Sequence, residues 1–208
     1  MESKLFTPVT FGPLTLRNRT IRSAAFESMC PGNAPSDMLL DYHRSVAAGG
    51  IGMTTVAYAA VTQSGLSFDR QLWMRPEIIP GLRRLTDAIH AEGAAAGIQL
   101  GHCGNMSHKS ICGCMPVGAS SGFNLYSPTF VRGLRADELP EMARAYGRSV
   151  NLAREAGFDS VEIHAGHGYL ISQFLSPSTN HRKDEFGGSL QNRMRFMDMV
   201  MEEVMKAA

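Results

Sequence analysis

Short apolar runs alternate with amphipathic stretches along the whole chain. Residues 21–25 read as a short strand. Ser36 and Asp37 then look like a helix cap, and helical periodicity covers residues 38–48 before Gly49-Gly50 stops it. Residues 51–56 are apolar and β-branched, which predicts a second strand. Helical spacing returns over residues 76–92, with Pro76 in the first turn and Gly93 just past the end. Residues 94–100 form a third strand, 137–156 a helix closed by Gly157, and 160–163 a fourth strand. Ser189 caps a last helix that runs to about Lys206. Residues 101–135 carry no clear period and are rich in Gly, Ser, Pro, Cys and Met, the composition of a long functional or mobile loop.

Strands and helices in strict alternation imply an α/β fold with a parallel sheet and helical crossovers. No linker divides the chain, so residues 1–208 read as one domain. The chemically interesting residues all fall just after strands. Both a βα barrel and an open doubly wound sheet place their sites there, and the period alone does not separate the two. No G-x-G-x-x-G follows the first strand, which weakens a dinucleotide-binding fold.

Composition narrows the partners. The 208 residues are 44% hydrophobic, enough for a substantial core, and the formal net charge is +1. No basic block stands out, so nucleic acid and anionic membrane are not expected as partners. No apolar run reaches spanning length, and the N-terminal segment lacks the basic and apolar regions of a signal peptide. The expected location is cytoplasmic, with Cys30, Cys103, Cys112 and Cys114 as reduced thiols. Cys112-Gly-Cys114 has C-x-C spacing and no second pair, so no metal site is expected. The 13 methionines read as core and interface filler.

The richest segment is residues 158–193. A strand ending Val161-Glu162-Ile163 leads into His164-Ala-Gly-His167-Gly-Tyr169. Two imidazoles and a phenol within six residues of a strand tip can hold a carbonyl oxygen and deliver a proton. Packing alone does not explain that grouping. Gln99, at the end of the third strand, is a weaker candidate, and His102 reads equally well as a loop anchor. Arg182, Asp184 and Arg193 are expected to brace the following loop through ion pairs. His43, His90, His108 and His181 read as surface or helix residues.

Together these motifs resemble a known family. They are Leu5-Phe-x-Pro8, Gly12-x-Leu-x-Leu-x-Asn18-Arg, Gln99-x-x-His102, the His164-x-x-His-Gly-Tyr-Leu tip, and Phe174-Leu-Ser-Pro177 through Asn192-Arg. The chain is similar to the old yellow enzyme family of FMN-dependent ene-reductases, over its whole length and in order. The resemblance implies a TIM (βα)8-type barrel, of which this chain supplies about the first four βα units. It implies FMN as cofactor, NADH or NADPH as reductant, and reduction of the C=C bond of a small α,β-unsaturated carbonyl compound. It further implies that His164 and His167 bind the substrate oxygen and that Tyr169 donates the proton. The backbone of Ser23, Ala24 and Ala25 would line the flavin, Phe26 and Tyr58 would flank it, and Gln99 would bond its pyrimidine edge.

The sequence also departs from the family pattern. Phe26 stands where relatives often carry Cys or Thr, Tyr58 where a small residue is usual, and Asn105 where an Arg is common. A complete barrel needs roughly 250 residues, so the phosphate-binding loops of the later strands are expected outside this sequence. An open half-barrel implies a homo-oligomer, a complementary C-terminal half or a longer protein of which this chain is a fragment, with the last helix as one contact. Two alternatives stand beside the reductase: a non-catalytic relative acting as a binding or assembly partner, and an FMN-dependent dehydrogenase or isomerase on the same scaffold.

Overall fold

Ser36 sets the first helix, as its spacing predicts: its Oγ accepts from Leu39 N at 3.2 Å while donating to Met29 O at 2.6 Å. The computed structural model describes residues 3–208. In chain order it begins with β1 (Val9–Phe11), β2 (Leu14–Leu16), β3 (Ile21–Arg22), α1 (Asp37–Ala48), β4 (Met53–Ala60), α2 (Ile79–Ala91) and β5 (Ala95–Gly101). It continues with α3 (Lys109–Cys112), β6 (Val117–Gly118), β7 (Gly122–Asn124), β8 (Thr129–Gly133), α4 (Leu139–Glu155), β9 (Ser160–Ile163), α5 (Leu170–Leu175) and α6 (Leu190–Ala207).

The chain divides into two compact units. The first holds Met1–Ala59, described from Ser3, with Arg70–Gln99 and Leu152–Glu162. Its main sheet has the order β3-β4-β5-β9. Ile21 pairs with Met53 in parallel register. Gly52 O accepts from Ala95 N and Gly101 O from Val61 N, so early residues meet early and late meet late. Ala96 O accepts from Asp159 N and Leu100 O from His164 N, which makes the last pair parallel too. All of β4 after Met53 is buried, as a parallel strand covered on both faces requires. Helix α1 buries Leu39, His43 and Ala47 at four-residue spacing, and α2 buries Leu82, Leu85 and Ile89. A parallel sheet alternating with helices is the pattern of part of an α/β barrel.

The second unit holds Ala60–Asp69, Leu100–Asn151 and Ile163–Ala208. Its core centres on Tyr146, Leu170, Phe174, Phe196 and Val200, with the Phe174 and Phe196 rings 4.5 Å apart. A small sheet, β6-β8-β7, pairs antiparallel between β7 and β8 and parallel between β6 and β8.

Several expectations change. The first strand ends at Arg22, and residues 23–30 run on outside any ladder. The second strand starts at Met53, because Gly52 is held in the preceding turn by Thr20 O. The stretch 101–135 is no bare loop: it contains α3 and the three-stranded sheet. The hairpin β1–β2 and the short α5 carried no period long enough to read. None of the five methionines of α6 is buried; Phe196, Val200, Val204 and Ala207 form its inner face. His43 lies in a helix, as read, and is buried there. Arg182 pairs with Asp184 as expected, at 2.5 Å, but Arg193 donates to the carbonyls of Leu175 and Gly188 instead of forming an ion pair. Among the described residues no helix is long and apolar enough to cross a membrane.

Candidate active site

The first unit presents an exposed extended segment. Ser23, Ala25 and Phe26 are exposed and Ala24 is half-buried. Glu27 then turns inward and anchors that segment. Its Oε1 takes Arg22 Nη1 at 2.9 Å and His43 Nε2 at 3.0 Å, and its Oε2 accepts from Ala57 N at 3.2 Å. Arg22 also donates to Thr55 O at 2.6 Å, and His43 Nδ1 meets Thr54 Oγ1 at 2.8 Å. A buried carboxylate with that many donors is satisfied and rigid. None of this anchor was read from the sequence. The signal available was His43, sitting in phase with Leu39 and Ala47.

Phe26 and Tyr58 border one shallow pocket with Glu27, Ala57 and Gln71. Tyr58 is buried, and its carbonyl accepts from Gln71 Nε2 at 3.2 Å. Gln99 donates from Nε2 to Glu162 Oε1 at 2.5 Å, which fixes the amide and turns its oxygen away from that bond. Ser23, Ala24 and Ala25 carry small side chains, and Gln99 offers one oriented amide.

The second unit carries the histidine–tyrosine tip. His164 follows β9 directly, pinned by its N–H on Leu100 O. His167 and Gly168 both adopt positive φ, +55° and +69°, and fold the tip back. A histidine pays strain there, since only glycine takes that conformation freely. The result is a tight cluster. His164 Nε2 and His167 Nδ1 are 3.2 Å apart, and the rings of His164 and Tyr169 meet edge to face at 4.9 Å. His167 and Tyr169 are 6.4 Å apart between centroids. His164 is 8% exposed, Tyr169 half-buried and His167 open to solvent. Burial holds the Tyr169 phenol above its ordinary value, opposed by a hydrogen bond to the Ser67 side chain. The phenol is therefore a proton carrier at neutral pH.

Two neighbours keep the tip in place. Gln173, also missed in the sequence, is buried and donates to Gly168 O at 2.6 Å, Asn105 Oδ1 at 2.9 Å and Cys103 O at 3.1 Å. His102 accepts from Gly104 N at Nδ1 and meets Ser64 Oγ at Nε2, while its carbonyl takes Leu170 N. His102 is thus the anchor and not part of the cluster. The structure brings His164, His167 and Tyr169 together in the second unit, and Phe26 with Tyr58 in the first.

The model of the NADH:flavin oxidoreductase / NADH oxidase family matches residues 4–208. A 4,4'-dithiodibutanoate disulfide reductase of Rhodococcus erythropolis is 42% identical over 204 residues, 98% of this chain and 51% of the relative. An NADPH dehydrogenase of Bacillus subtilis is 37% identical over 209 residues, 98% of this chain and 60% of the relative. The structure of an old yellow enzyme homologue from Zymomonas mobilis superposes with a TM-score of 0.91 at 30% identity, over 99% of this chain and 60% of that one. Morphinone reductase superposes with a TM-score of 0.90 at 29% identity, over 97% and 58%. The chain spans about half to three-fifths of the length of these four relatives.

Proposed function

The chain belongs to the NADH:flavin oxidoreductase / NADH oxidase family, the old yellow enzyme family, and from that premise we propose that it forms part of an FMN-dependent NAD(P)H oxidoreductase that reduces the C=C bond of α,β-unsaturated carbonyl compounds. The observation that carries the reading is the pair of imidazole nitrogens 3.2 Å apart beside a half-buried phenol. FMN, when bound, would supply hydride chemistry between NADH or NADPH and an electron-poor carbon.

The main chain of Ser23, Ala24 and Ala25 and the fixed amide of Gln99 hold the flavin in this reading, with Phe26 and Tyr58 flanking it. His164 Nε2 and His167 Nδ1 bind the carbonyl oxygen of the substrate. Between them the two nitrogens hold one hydrogen bond, which is exchanged for two N–H donors on an oxygen as that oxygen gains charge. They therefore favour the charge-separated transition state over the neutral ground state. Tyr169 donates its phenolic proton to the α-carbon, a role that needs a protonated group at neutral pH. Replacing Tyr169 with Phe removes that proton and leaves the ring. Alkene turnover by the flavin-loaded protein should fall about 100-fold while flavin reduction by NADPH keeps its rate, since general acid catalysis contributes roughly 10²–10⁴. An unchanged alkene rate in stopped-flow turnover defeats the assignment.

A second reading follows from the 42% identical relative, whose name is that of a disulfide reductase. The same donors can protonate a departing thiolate. Consumption of NADPH with a dialkyl disulfide but not with a cyclic enone selects that reading.

A further inference from the structure

The Cys112-Gly-Cys114 turn takes no part in the cluster above, yet it has the geometry of a reactive site. Helix α3 ends at Cys112, and Gly113 caps it in the left-handed conformation at φ +73°. Gly113 N closes on Lys109 O at 2.9 Å. That reversal turns two side chains two residues apart onto the same side. Their sulfurs lie 3.7 Å apart, with Cys114 Sγ donating to Cys112 Sγ. Cys112 Sγ in turn donates to Cys114 O at 3.2 Å.

The two thiols differ in access. Cys112 is buried at 1% exposure and Cys114 is exposed. Cys114 opens into a broad, open cleft that also carries Met115, Arg132 and Arg148. The other two cysteines, Cys30 and Cys103, are buried. Cys30 is pushed up to about 12 by its burial, and Cys103 is bonded to Leu66 O at 3.3 Å. An S–S bond is about 2.05 Å long, so the pair has well under 2 Å to close, a distance that side-chain rotation covers. A ring closed over a single intervening residue is strained. Strained and exposed disulfides are the easily reduced, exchanging kind and not the structural kind.

We propose that Cys112 and Cys114 form a reversible dithiol–disulfide couple whose substrates are low-molecular-weight disulfides. Cys114, the accessible thiol, loses its proton to solvent and attacks one sulfur of the small disulfide. A mixed disulfide forms, and the first small thiol leaves with a proton. Cys112 then loses its proton and attacks Cys114 Sγ. The intramolecular S–S bond forms as the second small thiol leaves. Two electrons pass from the protein pair to the small disulfide, and two small thiols are released. Burial and the neighbouring Cys112 hold the Cys114 thiol up at about 11, so the first step runs through a minor thiolate fraction and accelerates as pH rises.

The test needs no flavin, so its outcome is separate from that of the reductase reading. The reduced protein is incubated with glutathione disulfide, quenched with N-ethylmaleimide and mapped by peptide mass spectrometry. Half of the four free thiols should disappear, with the peptide spanning Cys112 and Cys114 lighter by two hydrogens and free of glutathione. A dithiol reductant should restore it. Cys112→Ser should stop at a glutathione adduct on Cys114, and Cys114→Ser should react at least tenfold more slowly at Cys112. The initial rate should climb about tenfold per pH unit below the Cys114 pKa. A stable glutathione adduct on the unaltered protein, a disulfide through Cys30 or Cys103, or retention of all four thiols overturns the proposal. Circular dichroism of both serine variants shows that the comparison is made on folded protein.

Discussion

Two imidazoles stand one residue beyond two strands of the same sheet, and they do opposite work. His102 follows β5 and His164 follows β9. His102 is fully buried. Its Nδ1 accepts from Gly104 N at 2.9 Å, so the ring proton sits on Nε2 and reaches Ser64 Oγ at 3.1 Å. Ser64 continues to Thr62 Oγ1 at 2.8 Å. A β-carbon on Gly65 would stand 2.9 Å from the His102 ring, so only glycine permits the fit. His164 has a different neighbour: the Nδ1 of a second, exposed histidine. The fixed protein groups around His102 take both of its nitrogens. The partner of His164 Nε2 is the ring nitrogen of an exposed side chain, which can turn to a ligand. A strand-tip histidine becomes functional when the fold leaves its hydrogen-bonding capacity with a partner that can exchange it.

Removing each ring in turn separates the two roles. His164→Ala should lower alkene turnover by about 10²–10³, the usual effect of losing one donor to a developing oxyanion. Its unfolding free energy should fall by less than that of His102→Ala, because the ring nitrogen it pairs with belongs to an exposed side chain and not to buried main chain. His102→Ala should invert the pattern. It strips partners from Gly104 N and Ser64 Oγ and opens a cavity, for a cost of about 2–4 kcal/mol. Turnover per folded molecule should stay within a few-fold of the parent. Urea titration beside steady-state rates measures both, and equal effects in the two variants abolish the distinction.

The same contrast was only half visible in the sequence. The spacing of His164, His167 and Tyr169 after an apolar strand was readable because three chemically related groups shared one tip. The strand–helix alternation was readable because each helix carries a continuous apolar stripe, as Leu82, Leu85 and Ile89 show. Gln173 and Glu27 were not readable. Their roles depend on contacts with Asn105 and with Arg22 and His43, and no local period records such a contact. The sheet β6-β8-β7 was hidden for a related reason: its strands of two, three and five residues are too short to carry a period.

A smaller effect sharpens the comparison through pH. Burial lowers the His102 pKa to about 3, against an ordinary value near 6.5. The unfolded chain therefore takes up a proton near pH 6.5 that the folded protein refuses until about pH 3. The contribution is complete above about 6.5 and is lost as pH falls through that window. Between pH 7 and pH 5 the loss is about 2 kcal/mol at 1.36 kcal/mol per unit. The difference in stability between the parent and His102→Gln should narrow by that amount over the same range. A difference that is flat with pH shows that the folded His102 ring takes up its proton as readily as the unfolded chain does.

Tyr146 supplies the counter-example that tests the rule at its smallest scale. It is fully buried in α4, and its hydroxyl has no hydrogen-bond partner among the described residues. Burial accordingly drives its phenol far above the ordinary range. Tyr146 is what His102 would be without Ser64 and Gly104: a polar group that has lost water and gained nothing. An unsatisfied buried polar group costs about 1–3 kcal/mol, and removing it leaves no orphaned partner behind. Tyr146→Phe keeps the ring that packs the core and deletes only the oxygen. The variant should therefore be more stable, by about 1 kcal/mol after the small void is counted, with its urea midpoint raised and its slope unchanged. A lowered midpoint would mean that a buried water satisfies the hydroxyl, which would make Tyr146 a second anchor of the kind His102 exemplifies.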